Sequence, residues 1–333
     1  MNKNIVVVFK ADKDIGTGHL MRIKGLLRFL QDFNLYLVSD SISSELKAQC
    51  NEYKQIIVCQ KAKLVHEVLA LNPILVLIDH YFLDYDFEKE LYPFSKIAVI
   101  DDLVRHHMCH VLFDQWLYRN ESDYQGKVPN NCFLGLGREY NYIKPEFAKI
   151  IKTKNLNSQI PRVLVNFGGS DPAHACLYTI QGILKGSLYK KYNFTVISGV
   201  SNPDHTKLQS LTKDLENIKV ISHTSNVPEV FANTDFAIGA CGGMFQERIM
   251  AGIPTVNVEI ADNQKGVNTL VRDLKLGCSL EVNELTDDKK IEQALKELQE
   301  NKALYEENCR GVFSKHGLKN IASKIIELIN ANS

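Results

Sequence analysis

In the stretch IGTGHLMR, His19 directly follows Gly18, Gly16 lies two residues before that, and the apolar run IVVVF stands just upstream. Glycine permits a tight turn and close approach of the backbone to a ligand. The first amides of a helix are unpaired and carry partial positive charge, which suits an anion. An imidazole at that point exchanges protons near neutral pH. Strand, glycine turn, histidine and helix together outline a site for an anionic substrate; the competing reading is a plain strand-to-helix connection with a capping residue. Further on, Asp79, His80 and Tyr81 close the apolar run ILVLI, and Asp101 and Asp102 close KIAVI. His80 and Tyr81 are candidates to touch a substrate or a water, with support of their own loop as the alternative. For Asp101 and Asp102 the choice is between a ligand contact and a cap or salt bridge.

Two more glycine turns follow. VNFGGSDP sets Gly168, Gly169 and Ser170 after a strand, where bare amides and a hydroxyl can receive phosphate oxygens without a metal. GACGGMFQER supplies Gly242 and Gly243, with Glu247 about one helical turn later.

These residues require strands that end where they stand. NIVVVFK, LYLVSD, QIIVCQ, ILVLIDHY, KIAVIDD and VLFDQ read as strands, several apolar throughout, as in a parallel sheet covered on both faces. GHLMRIKGLLRFLQDF has helical spacing, with Leu20, Ile23, Leu26, Leu27 and Leu30 on one side. The polar, basic stretch 149–162 reads as a linker, after which the plan restarts. The pattern predicts an α/β protein of two doubly wound, Rossmann-like domains, over 1–153 and 160–333, the last helix being a candidate to pack back on the first. Ligands on such sheets sit beyond the carboxyl ends of the strands, so the expectation is a site in the cleft between the domains.

Composition narrows the partners. The formal net charge of +0 argues against general attraction to nucleic acid or acidic membranes. No apolar run approaches the ~20 residues of a membrane span, and MNKN shows no signal-peptide pattern, which leads to an expected cytoplasmic location. The 8 cysteines are scattered without a CxxC pair and are expected as reduced thiols. RHHMCH at 105–110 has ligand types that suit zinc, yet no second cluster completes a site, so no metal is expected.

In order, the segments IGTGHLMR, LIDHYFLD, VIDDLVRHHMCHVLFDQ, LGREYNYIKPEF, VNFGGSDP and GACGGMFQERIMAGIP…ADNQ resemble motifs of the PseG family. These are UDP-2,4-diacetamido-2,4,6-trideoxy-β-L-altropyranose hydrolases of pseudaminic acid biosynthesis, with the GT-B fold of nucleotide-sugar glycosyltransferases. The resemblance runs to roughly Leu280. It implies that His19 is the catalytic group, in a turn with Gly16 and Gly18, oriented by Asp79 or Asp12. It further implies sugar-side contacts from Asp79, His80, Tyr81, Asn263 and Gln264, with Tyr140 and Lys144 as weaker candidates. UDP is then expected at Gly168, Gly169, Ser170, Gly242 and Gly243, with Glu247 on the ribose and Ser198, Gly199 and Val227 near the uracil. The implied partner is a UDP-sugar, with no cofactor. The chemistry agrees: a diphosphate is a good leaving group, so cleavage needs stabilisation of the departing oxygens and one base for water. Two departures stand out. Gly243, Met244, Phe245 and Gln246 occupy a stretch where the family has Ser/Thr and then Trp, and His110 stands where an aspartate is usual.

A glycosyltransferase of the same fold, with an acceptor hydroxyl in place of water, is the main alternative. A nicotinamide-dependent dehydrogenase fits less well, because GTGH lacks the third glycine of that fingerprint and only Asp40 approximates its acidic residue. A sugar-nucleotide sensor would leave His19 without a task.

Overall fold

The computed structural model describes residues 3–11, 18–153, 160–199, 201–224 and 226–331. The chain divides into two units, Met1–Lys144 with Ser314–Ser333, and Pro145–Phe313.

The first unit contains β1 (Asn4–Phe9), α1 (Gly18–Leu27), β2 (Asn34–Ser39), α2 (Ser44–Lys47), β3 (Gln55–Val58), α3 (Leu64–Ala70), β4 (Leu75–Asp79), α4 (Tyr85–Leu91), β5 (Lys96–Ile100), β6 (Val111–Asp114) and β7 (Phe133–Leu136). The strands form a 7-stranded parallel sheet in the order β3-β2-β1-β4-β5-β6-β7. Both central strands are apolar on both faces because helices cover both. Ile5, Val7 and Phe9 pack with Leu20, Ile23 and Leu26 of α1, while Val6, Val8, Val76 and Ile78 pack with Leu64, Val68 and Leu91 on the other side. β1 and β4 run in register, so that Phe9 lies opposite Asp79 at their carboxyl ends.

The second unit repeats the plan with β8 (Arg162–Asn166), α5 (Ala175–Lys185), β9 (Asn193–Ile197), α6 (His205–Thr212), β10 (Ile218–Ile221), α7 (Val227–Ala232), β11 (Phe236–Ala240), α8 (Gly243–Met250), β12 (Thr255–Val258), α9 (Val267–Asp273), β13 (Gly277–Ser279), α10 (Asp288–Glu300) and α11 (Lys302–Val312). Its 6-stranded parallel sheet has the order β10-β9-β8-β11-β12-β13. Strand order reverses between β1 and β4 in one sheet and between β8 and β11 in the other, the points where doubly wound sheets open a crevice for ligands.

The division falls between Lys144 and Pro145, earlier than the expected 153. The intervening residues are held by the second unit. Phe147 meets Phe231 with ring centroids 5.5 Å apart, and the Thr153 amide donates to the Ala232 carbonyl at 2.9 Å. Residues 154–159 of the expected linker lie outside the described residues. The expected second domain also gives up its end, since α12 (Gly317–Asn330) belongs to the first unit. Leu318, Ile321, Ala322 and Ile325 enter the α1 side of that core. A Cβ added at Gly25 of α1 would lie 3.0 Å from Leu318 Cδ1. Among the described residues no helix is long and apolar enough to cross a membrane.

Candidate functional site

The β1/β4 crevice of the first unit brings His19 and Asp79 together. His19 is the second residue of α1 and Asp79 the last of β4. The His19 Nδ1 is 2.6 Å from Asp79 Oδ1, and both side chains are buried. Arg22, one turn along α1 on the same face, donates from Nε to Asp79 Oδ2 at 2.5 Å and from Nη2 to Oδ1. Burial alone would raise the Asp79 carboxyl, but Arg22 and His19 beside it hold it down at about 2. It is therefore an ionised acceptor at neutral pH. A carboxylate cannot donate, so the short contact requires the proton on His19 Nδ1. Arg22 Nη2 also lies 2.9 Å from Nδ1 because both groups converge on the same oxygen. In the neutral imidazole, Nε2 is thus the nitrogen with the free lone pair.

Tyr81 packs its ring edge-on to His19, centroids 4.6 Å apart. Its hydroxyl donates to Asp102 Oδ2 at 3.1 Å, and Arg22 Nη1 is 3.5 Å from the same oxygen. Asp102 Oδ1 is buried with no hydrogen-bond partner among the described residues. His80 is turned inward. Its Nδ1 accepts the Phe82 amide at 3.1 Å, so Nε2 carries the proton and donates to Asp40 Oδ1 at 3.0 Å. With both nitrogens engaged and the ring buried, His80 shapes the loop and has nothing to offer a sugar.

RHHMCH forms an ion-pair network. Arg105 donates from Nη1 to the Tyr81 and Leu83 carbonyls at 2.9 and 2.8 Å, and from Nε to Asp101 Oδ1 at 2.9 Å. Behind it, buried His107 has Nδ1 2.7 Å from Glu88 Oε1 and Nε2 3.5 Å from Asp101 Oδ2, the latter an ion-pair distance without hydrogen-bond geometry. Burial would lower the His107 imidazole, yet the two carboxylates raise it to about 9. His110 stacks on Tyr92 with centroids 4.2 Å apart and accepts the Ile97 amide at 3.1 Å, a packing role in place of an acidic one. No group of 3 or more His, Cys, Asp or Glu among the described residues could hold a metal ion. Tyr140 packs against Phe113 and Phe133.

The β8/β11 crevice of the second unit has bare backbone instead. Gly168, Gly169 and Ser170 are exposed after β8, as are Gly242 and Gly243 after β11. Gly168 has φ +95, a left-handed value that favours glycine. Asp171 closes this turn by accepting the Ala175 and Cys176 amides of α5 at 2.9 and 2.8 Å. Gly199 braces the turn from the side: a Cβ there would lie 2.2 Å from the Gly169 carbonyl oxygen. Gln264 Oε1 braces the other, accepting the Cys241 and Ile260 amides at 3.3 and 3.1 Å. Ser198 is fully buried, its Oγ 2.6 Å from His205 Nδ1 and its amide donating to Ile221, so it has no donor left for a base. Val227 opens α7 and Asn263 lies in a short 3₁₀ turn. Glu247 is half-buried in α8. Gly16 and Asp12 lie outside the described residues.

Arg22, Arg105 and Arg248 were not among the candidates. Arg22 had a usable signal, its i+3 spacing from His19 on one helix. Arg105 binds loop carbonyls more than 20 residues away, which no local pattern encodes.

Two Rossmann-like units of parallel sheet, each with candidate site residues at its switch point, define a chain of the GT-B fold class. Within that class the chain resembles the PseG hydrolases: it is 26% identical over 250 residues to the UDP-2,4-diacetamido-2,4,6-trideoxy-β-L-altropyranose hydrolase of Campylobacter jejuni, covering 73% of this chain and 88% of that one. Residues 163–325 match the glycosyltransferase family 28 C-terminal domain. Among solved structures, Acinetobacter baumannii MurG superposes with a TM-score of 0.71 at 11% identity, covering 98% of this chain and 99% of MurG. The S. aureus MnaA–UDP co-structure does so with 0.65 at 14% identity, covering 98% and 97%. At such identities the likeness to solved structures is one of fold.

Proposed function

We propose that this protein hydrolyses a UDP-linked amino sugar, of the diacetamido-trideoxy type named for the C. jejuni relative, to UDP and the free sugar, as a step of pseudaminic acid biosynthesis. The observation that carries the reading is His19 held by ionised Asp79 and Arg22 at a ligand crevice. Asp79 fixes the Nδ1–H tautomer, and Nε2 accepts a proton from water. The water oxygen bonds to the anomeric carbon as that carbon's bond to the diphosphate oxygen breaks, and UDP leaves with the electron pair. Attack on the face opposite the leaving group inverts the anomeric configuration. Tyr81 and Asp102, beside His19, are the side chains placed to meet the sugar. In the second unit, the amides at Gly168, Gly169, Gly242 and Gly243, with Ser170, receive the diphosphate. Glu247 accepts the ribose hydroxyls, and the α7 start at Val227 lies near the uracil.

A panel of UDP-sugars in ¹⁸O-water tests this. Expected are release of UDP without any acceptor, label on the sugar, and an inverted anomer in proton NMR before mutarotation. Label in the phosphate of UDP would sink glycosyl cleavage. Release that depends on an added hydroxyl compound would assign the protein to glycosyl transfer, the activity after which the matched domain family is named.

A further inference from the structure

Arg248, in the second turn of α8, is fully buried. Its Nη2 donates to the Ala240 carbonyl at 3.0 Å, while Nε and Nη1 have no hydrogen-bond partner among the described residues. The other buried or half-buried arginines here face carboxylates: Arg22 meets Asp79, Arg105 meets Asp101, Arg119 meets Asp114 and Arg162 meets Asp235. Arg248 has no such pair among the described residues. Burial lowers the guanidinium only to about 10, so it is charged at neutral pH. Its Cζ lies 6.0 Å from the centroid of the Phe245 ring, a weak cation–π contact, but a buried charge without a carboxylate is still costly, and an unsatisfied buried group calls for a reason.

Its position supplies one. Ala240 is the last residue of β11, two residues before the exposed pair Gly242 and Gly243. A Cβ added at Gly239 would lie 2.6 Å from Arg248 Nη1, so glycine at that position lets the guanidinium lie flat under the strand end. Asn257, opposite Gly239 in the sheet, has an Oδ1 that is also without a partner among the described residues. The cation is therefore fixed at the end of β11, just before the turn where the family's hydroxyl is replaced by Gly243. A charge shielded by protein can act on a nearby anion through its field, because the interior screens weakly.

We propose that Arg248 is the fixed counter-charge for the diphosphate of the nucleotide bound at the Gly242–Gly243 turn. The assignment rests on the UDP reading above. It gives the diphosphate a positive charge that needs neither a hydroxyl nor a surface side chain, and it assigns the arginine to the anionic part of the ligand alone.

Calorimetric titration of UDP and uridine into wild type, Arg248→Gln and Arg248→Lys tests it. Gln keeps a donor for the Ala240 carbonyl and removes the charge. Expected is a UDP affinity roughly 10- to 100-fold lower in Arg248→Gln, with uridine changed by less than about 3-fold. Equal losses for both ligands, or none, would overturn the assignment and leave Arg248 as a brace for β11. Should the Gln variant fail to fold, Arg248→Lys decides. A buried lysine loses its proton far more readily than arginine, so its UDP affinity should fall between pH 7 and 9 while its uridine affinity stays level. The titratable groups around the guanidinium are Cys241, Glu247 and Cys309; burial first and foremost pushes both thiols up to about 12, out of that window. A pH-independent UDP affinity in the Lys variant overturns the assignment. A wild type that binds neither ligand overturns the UDP reading, and this assignment with it.

Discussion

The two sheets reverse strand order at equivalent places, yet what stands there differs in kind. At β1/β4 the crevice is furnished with side chains that neutralise one another: Asp79 between His19 and Arg22, and Asp102 between Arg22 and Tyr81. At β8/β11 it is furnished with exposed glycine backbone, braced from behind by Gly199 and Gln264. A proton acceptor must be a side chain, because the backbone has no group that titrates near neutrality. An anion cradle works best with no side chain at all, because the amides must come close. If the proposed function holds, the same topology splits chemistry from binding, and substitutions in the two crevices should separate turnover from affinity.

The largest effect belongs to the first crevice. His19→Ala should lower turnover roughly 10²- to 10⁴-fold, the usual worth of general acid–base catalysis, while UDP affinity measured by titration stays near wild type. A near-normal rate would remove His19 from the reaction. In the second crevice, Glu247→Ala should weaken UDP binding by about 1.5–3 kcal/mol, the range for hydrogen bonds to a charged group. A 2′,3′-dideoxy analogue should lose almost nothing, and equal losses would place Glu247 away from the ribose. In stability, the first unit should respond to pH through His107. Its folded imidazole is raised to about 9 against about 6.5 unfolded. The stabilisation is full below about pH 6.5 and is lost as pH rises through about 9, at most of order 3 kcal/mol. Denaturant titrations from pH 6 to 9.5 should show this decline, and His107→Gln should flatten it. The smallest effect is none: if amides and Arg248 meet the diphosphate charge, excess EDTA should leave activity unchanged. Activity lost to chelator and restored by magnesium would return the second crevice to metal-assisted binding.

Much of the scaffold was legible because its signals are long and one-sided. β1 and β4 are uninterrupted apolar runs, and the glycine turns mark where strands end. β13 is only three residues, Gly277–Ser279, and α4 is a short, charged helix; neither carries enough periodicity to be seen. In the site, His19 and Asp79 were legible because a turn and a strand end announce them. The RHHMCH cluster was legible only as a composition. What makes it an ion-pair network is Glu88, contributed by α4, and Asp101, and residue types alone do not distinguish pairing from ligation. Arg248 was hidden for the opposite reason: an arginine beside a glutamate reads as the exposed side of a helix, whereas here it points inward under a glycine. His80 and Ser198 sit at strand ends as expected, but their direction depends on partners 40 and 7 residues away.

The return of α12 to the first unit has a consequence for how the chain comes to be folded. The second unit is one uninterrupted segment, Pro145–Phe313. The first is begun before it and finished after it. Until Leu318, Ile321 and Ile325 are made, the α1 layer that carries His19 lacks part of its cover. The first core therefore closes only when the two ends of the chain meet, whereas the second closes within its own segment. A chain cut after Phe313 would keep every residue of the second unit and leave the α1 face of the first open to water.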